Sequence, residues 1–167
     1  MTNKKTLHII LCFVLLSFNM IKGYSQSSPN EQDIKLTDSE LKLNDNTSIK
    51  LADLKGKVVV LDFWYRACMP CLQAIPELIK IQEDYKNEVV IIGINDIDDQ
   101  EDVTDYLNYK KANYLSTYKT KESISQRLKI NSFPTLIVYD REGKLAGIEL
   151  GYQRGMRNLK KLIKSTL

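Results

Sequence analysis

The hydrophobic pattern begins with a short alternating region. In residues 34–56, apolar residues alternate with polar ones on both sides of the tripeptide Asn-Asp-Asn, which is typical of a small β-hairpin. The next segment, KVVVLDFW (57–64), is an unbroken apolar run that ends at Trp64. A run of this kind predicts a central strand that is buried on both faces.

A helix is predicted directly after the segment that contains Cys68 and Cys71. From Cys71 onwards, apolar residues repeat at helical spacing, and Pro76 is expected to kink this helix. The rest of the chain alternates between strand-like and helix-like patterns: a strand over 88–95, a helix over 101–111, a strand over 115–118, a helix over 122–128, strands over 134–140 and 145–151, and a helix over 156–167. This alternation predicts an α/β fold whose sheet has an antiparallel end.

The first 25 residues have the pattern of a secretory signal peptide. Two lysines precede an apolar run over 7–18, and the small residue Ser25 precedes Gln26, where we predict cleavage. The alternative is an uncleaved membrane anchor, but about 12 apolar residues fall short of the roughly 20 that span a bilayer. Residues 26–33 are expected to form a loose segment, and residues 34–167 are expected to form the folded domain.

Cleavage would change the chemistry that the chain can offer. It would remove Cys12 and the only histidine, His8, and the loss of three lysines from 24 basic residues would leave 21 against 21 acidic ones. A mature chain of zero net charge lacks the basic footprint of a nucleic-acid-binding protein. The acidic run over 95–102 does not have the spacing of a calcium loop and fits a loop that leads into a helix N-terminus.

Cys68 and Cys71 allow three interpretations. As a structural disulfide they would close so short a loop that the unfolded chain is restrained by only about 2 kcal/mol. As a metal site they supply two thiolates without an imidazole, too few for zinc, although copper(I) favours soft sulfur ligands. As a redox pair they would cycle between dithiol and disulfide. The copper(I) carrier therefore stays an alternative to the redox enzyme.

The position of the two cysteines assigns different roles to them in the redox interpretation. Cys68 lies at the predicted helix start, where free backbone N–H groups and the helix dipole favour a thiolate. Cys71, one turn further on, would face the same side and be less exposed, so it could attack a mixed disulfide formed at Cys68. We therefore expect Cys68 to be the nucleophile and Cys71 the resolving cysteine. The positive charge of Arg66 could favour the Cys68 thiolate, but a surface arginine beside a motif is more often solvated, and that is the preferred interpretation.

Four segments in this order resemble the thioredoxin superfamily, and in particular the secreted TlpA/ResA-like thiol-disulfide oxidoreductases. They are VVVLDFW, CMPC, the kink proline Pro76 and INSFPTLIVYDREGKL, whose Pro134 matches the cis-proline beside the family's active site. The similarity covers residues 31–167. It implies a thioredoxin-like α/β fold, with a central mixed sheet flanked by helices and an N-terminal β-hairpin extension.

The resemblance also implies site residues and partners. The backbone at Phe133 and Pro134 is expected to face an extended substrate, Met69 and Pro70 are expected to contact it, and Trp64 is expected to support the motif from the core. The implied partners are protein thiols or disulfides and a membrane or envelope electron donor. The implied protein is a periplasmic monomer that needs no bound cofactor or metal and does not insert stably into the membrane after cleavage.

Two positions depart from the family. Ala67 stands where many relatives have tryptophan before the first cysteine, and Ala74 stands where secreted relatives often have glutamate. Asp62 instead matches the buried aspartate behind the dithiol of thioredoxin, so it is expected to accept the proton of Cys71. The alternative is that Asp62 points to water at the end of its strand.

Overall fold

The computed structural model describes residues 40–167 of the chain. The predicted signal peptide over 1–25, the predicted loose segment over 26–33 and the beginning of the predicted hairpin lie outside the described residues. The described part begins with an antiparallel hairpin of β1 (Glu40–Lys42) and β2 (Ser48–Lys50), followed by a short 3₁₀ helix (Leu51–Leu54). The predicted N-terminal hairpin is therefore confirmed.

Five strands form the central sheet in the order β5-β4-β3-β6-β7. The strands are β3 (Val58–Phe63), β4 (Val89–Ile94), β5 (Leu115–Ser116), β6 (Thr135–Tyr139) and β7 (Leu145–Leu150). β3, β4 and β5 run parallel, while β6 pairs antiparallel with β3 and β7 pairs antiparallel with β6. The predicted mixed sheet with an antiparallel end is confirmed.

Within the described residues, four α-helices connect or follow these strands. They are α1 (Met69–Asp84), α2 (Gln100–Tyr109), α3 (Ile124–Arg127) and α4 (Arg157–Thr166). Pro76 lies inside α1 on its exposed side, and the helix continues past it. In the part of the chain that the structure describes, no helix combines the length and the apolar character needed to cross a membrane.

Both faces of the sheet are covered, and β3 lies at its centre with all six residues buried. Leu61 and Phe63 pack on the face that the hairpin covers, while Val58 and Val60 pack on the face that α1 and α4 cover. Asp62 belongs to the second set by strand alternation. The central strand therefore carries a carboxyl group into the apolar layer beneath α1.

Candidate active site

Cys68 and Cys71 form a disulfide at the N-terminus of α1, with their Cα atoms 5.3 Å apart. Cys68 is the N-cap residue, and its sulfur accepts a hydrogen bond of 3.2 Å from the backbone N–H of Cys71. Pro70 lies in the first helical turn, where a missing N–H breaks no helical hydrogen bond. The same N–H and helix dipole would stabilise negative charge on the Cys68 sulfur after reduction.

The two sulfur atoms differ in their access to solvent. Cys68 is 5% exposed and Cys71 is 0% exposed, which matches the expected order. Between them, Met69 is 64% exposed and Pro70 is also exposed. A large partner can therefore approach the motif from the side of Cys68, Met69 and Pro70.

Asp62 is fully buried and does not point to water. Its register partners are Gly93 in β4 and Leu136 in β6, and neither of its carboxyl oxygens has a hydrogen-bond partner in residues 40–167. Burial raises the pKa of Asp62 from 3.8 to about 7, because a charged carboxylate is poorly solvated in the core. Its carboxyl group can therefore exchange a proton near neutral pH, on the sheet face that α1 covers.

Trp64 supports the motif from the core. It is 1% exposed and packs in one apolar cluster with both cysteines and with Ile75 of α1. Its indole Nε1 donates a hydrogen bond of 3.0 Å to the hydroxyl oxygen of Ser116 in β5. The residue before the dithiol loop is thereby fixed to the sheet edge.

Phe133 and Pro134 lie beside the same cluster. The peptide bond between them is cis, as expected, and Pro134 is buried at the start of β6. Phe133 is half-buried, and its ring meets the ring of Tyr65 edge to face, with centroids 5.3 Å apart. The structure thus brings the predicted substrate-contact residues to the side of the dithiol.

Arg66 is held by the loop that follows β4. Its backbone N–H donates to Asp98 at 2.7 Å, and its guanidinium forms an ion pair with Asp102. The amide of Asn95 donates to the same oxygen of Asp98 at 2.8 Å. The positive charge of Arg66 is therefore paired with Asp102.

Asp98 was missed by the sequence reasoning, which treated the acidic run only as a helix N-terminus. That interpretation fits Asp99, the N-cap of α2, and Glu101 and Asp102 in its first turn. A usable signal was that β3 and β4 are parallel neighbours, whose carboxyl ends meet at one edge of the sheet. Polar residues directly after β4 are therefore well placed to hold the loop that follows β3.

Within residues 40–167, no group of three or more histidine, cysteine, aspartate or glutamate residues could hold a metal ion. The groups that the structure places at and beneath the motif are the sulfur pair and the buried carboxyl group of Asp62. Two cysteines at a helix start, one of them more accessible than the other, form an arrangement suited to thiol-disulfide exchange.

Comparison with known proteins gives the same class. The chain is 27% identical over 155 residues to the thioredoxin-like protein YneN of Bacillus subtilis. The alignment covers 89% of this chain and 91% of the relative. It is 26% identical over 161 residues to the thiol-disulfide oxidoreductase ResA of Bacillus anthracis, with 90% of each chain covered. The predicted class of enzyme, a thiol-disulfide oxidoreductase, is confirmed by such relatives together with the disulfide at the motif.

The fold is also similar to solved structures. A DsbF homologue from Corynebacterium diphtheriae aligns with a TM-score of 0.69 and 25% identity, over 78% of this chain and 85% of that one. Residues 56–145 match the family described as Thioredoxin-like, and this match spans more than half of the chain. The chain therefore belongs to the thioredoxin-like family.

Proposed function

We propose that this chain is a secreted thiol-disulfide oxidoreductase that reduces disulfides in protein substrates without a bound cofactor. The observation that carries the proposal is the Cys68–Cys71 disulfide at the N-terminus of α1, with Cys68 as the more accessible sulfur. The proposed protein works as a monomer outside the cytoplasm and does not bind nucleic acid. An envelope electron donor returns the disulfide to the dithiol after each turnover.

The proposed reaction moves two electrons from the enzyme dithiol to the substrate disulfide. The thiolate of Cys68 attacks one sulfur of the substrate, forming a mixed disulfide and releasing the first substrate thiolate, which takes a proton from water. Cys71 then loses its proton and attacks the sulfur of Cys68. The Cys68–Cys71 disulfide forms, the second substrate sulfur leaves, and it too takes a proton.

Asp62 is the proposed acceptor of the Cys71 proton. Its carboxyl group is buried on the sheet face beneath α1, and burial raises its pKa to about 7. An acid with this pKa is partly ionised at neutral pH, so it accepts a proton and retains a useful driving force for doing so. We expect Asp62→Asn to slow resolution of the mixed disulfide roughly 10- to 100-fold, because water replaces the carboxylate only in part.

Substrate contact is proposed at the surface around Cys68. Met69 and Pro70 are exposed between the cysteines, and Phe133 is half-buried beside them. An extended peptide that runs along the backbone of Phe133 and Pro134 would be held by main-chain hydrogen bonds, with little demand on its side chains. This mode of binding suits an enzyme that acts on many protein disulfides.

The test is an insulin-type reduction assay with dithiol enzyme, run with and without a copper chelator. We expect Cys68→Ser to abolish turnover, and Cys71→Ser to accumulate mixed disulfides that a reductant releases. Stopped-flow kinetics of Asp62→Asn should show slow resolution with normal attack by Cys68. Tight stoichiometric copper(I) binding without reductase activity would instead support the copper-carrier alternative.

Export is tested separately. The apolar run and the small residues before Gln26 motivate the proposal of a cleaved secretory signal. Mass spectrometry of envelope fractions should find a mature N-terminus near Gln26. A full-length chain in the cytoplasm would contradict the proposed location while leaving the chemistry of the site untouched.

A further inference from the structure

Tyr114 is a buried polar residue that the proposed reaction does not use. It directly precedes β5, is 6% exposed, and packs in the apolar cluster beneath α1 with Val60 and Leu78. Its hydroxyl group has no hydrogen-bond partner among the described residues. A buried hydroxyl without a partner loses its hydration and gains nothing in return, so its environment needs an explanation.

Tyr114 and Asp62 lie on the same face of the sheet. Asp62 pairs with Gly93, and Gly93 pairs with Ser116, so these three residues form a row across β3, β4 and β5. Tyr114 precedes Ser116 by two residues, at the bend that leads into β5. Tyr114 also shares its apolar cluster with Val58 and Val60, the residues that alternate with Asp62 on β3.

The two residues also interact electrostatically. Burial raises the pKa of Tyr114 well above its ordinary value, and the negative charge of Asp62 raises it further, followed by a contribution from Tyr106. Within residues 40–167, four buried side-chain polar atoms have no hydrogen-bond partner, and three of them belong to Asp62 and Tyr114. These three atoms lie in the layer on one face of the sheet, and buried water molecules in proteins typically bond to polar groups that have no other partner.

We propose that the Tyr114 hydroxyl is a positioning group for the Asp62 carboxylate, to which it donates a hydrogen bond through one buried water molecule. The link satisfies both residues: the hydroxyl donates to the water, and the water donates to a carboxylate oxygen. When Asp62 takes up the proton of Cys71, the new carboxylic acid donates to the same water. This inference rests on the proposed function only where it concerns the proton of Cys71.

The effect of the Tyr114 hydroxyl on the proton affinity of Asp62 depends on whether it stabilises the ionised or the protonated carboxyl group. A donated hydrogen bond favours the ionised carboxylate, so the hydroxyl of Tyr114 keeps the proton affinity of Asp62 lower than burial alone would make it. Other groups around Asp62 are few. The buried side of α1 offers one titratable group, Cys71, and the register partners in β4 and β6 are Gly93 and Leu136.

The decisive measurement is the titration of Asp62 in the oxidised protein, where Cys71 is held in the disulfide and does not titrate. Carboxyl-carbon NMR of the mature chain should show one aspartate with a midpoint near neutral pH, and Asp62→Asn should remove that signal. Tyr114→Phe keeps the aromatic ring and removes only the hydroxyl, so the fold is retained. We expect it to raise the Asp62 midpoint by about one pH unit.

Tyr139→Phe is the matched control. Tyr139 is also a buried tyrosine, but it packs on the opposite face of the sheet with Leu61 and Phe63. Its substitution should leave the Asp62 midpoint unchanged. An unchanged midpoint in Tyr114→Phe, or an equal rise in both variants, would overturn the proposal.

A kinetic measurement distinguishes a failure of this inference from a failure of the proposed function. If Asp62 accepts the Cys71 proton, the pH profile of mixed-disulfide resolution in Tyr114→Phe should move upward by the same amount as the NMR midpoint. A moved midpoint with an unmoved resolution profile supports the positioning role of Tyr114 and contradicts the proton-acceptor role of Asp62. The titration needs no substrate, so it remains valid even if the protein reduces no disulfide.

Discussion

Asparagine at position 62 should stabilise the oxidised protein by an amount that grows with pH. Asp62 is 0% exposed, and no protein group among the described residues donates a hydrogen bond to it, so its ionised form is poorly accommodated in the folded chain. Burial raises its pKa from 3.8 to about 7 in the folded state. Asparagine has nearly the same shape and cannot ionise, so the substitution removes the ionisation and preserves most of the packing.

The magnitude follows from the pKa values of the two states. Below about pH 3.8 the carboxyl is protonated in both states, and it gives no pH-dependent term. Between pH 3.8 and about 7 the unfolded chain releases the proton while the folded chain keeps it, so the free energy of unfolding falls as pH rises. Above about pH 7 this loss of unfolding free energy is complete. The pKa values of the two states differ by about three units, which corresponds to about 4 kcal/mol.

The assay is urea unfolding of the oxidised wild type and of Asp62→Asn at pH 4 and pH 8. The fluorescence of Trp64, the only tryptophan in the chain and 1% exposed, reports the transition. The gain in unfolding free energy should be close to zero at pH 4 and up to about 4 kcal/mol at pH 8. Asp105→Asn, at an exposed position on α2, is the matched control and should show no such growth. Equal effects of Asp62→Asn at both pH values would refute the conclusion that Asp62 titrates near neutrality in the folded protein.

Two further substitutions test the supports of the dithiol loop. A Cβ atom on Gly93 would lie 2.5 Å from the hydroxyl oxygen of Ser116, 2.7 Å from its Cβ and 2.8 Å from Trp64 Nε1, so Gly93→Ala should cost roughly 2 kcal/mol in urea unfolding. A Ser116→Gly background removes both Ser116 atoms, and a cost that is no smaller there would contradict this origin. Asp98→Ala removes the acceptor of the Arg66 N–H, so hydrogen exchange at that amide should accelerate at least tenfold. The side chain of Asp99 makes no cap hydrogen bond, so Asp99→Ala should leave the exchange rate of the Arg66 amide unchanged.

The sheet could be predicted because its signals are local and strong. Unbroken apolar runs predicted β3 and β4, and the motif around Pro134 predicted the start of β6, all of which the structure contains. Predicted boundaries were less accurate where packing decides them. The helix predicted over 122–128 is only four residues long, Ile124–Arg127, and its N-terminus is capped by the hydroxyl of Ser123.

The surroundings of the dithiol were harder to predict than the dithiol itself. Asp98 reaches the backbone of Arg66 across 32 residues of sequence, and the contact exists only because β3 and β4 are neighbours in the sheet. The hydroxyl of Tyr114 gives no local signal either, since a tyrosine in an apolar pattern is usually read as a core ring. Its lack of a partner becomes visible only when the whole core is assembled.

The stability of the fold and the proposed proton transfer depend on the same property of Asp62. The burial that raises its pKa to about 7 also makes the folded protein less stable at neutral pH, since both effects measure how poorly the ionised carboxylate is accommodated. A substitution beneath α1 that supplies Asp62 with a hydrogen-bond donor should therefore increase stability at pH 8 and weaken Asp62 as a base. Stability and resolution rate should move in opposite directions across such variants, and a variant that raised both would show that the Cys71 proton takes another route.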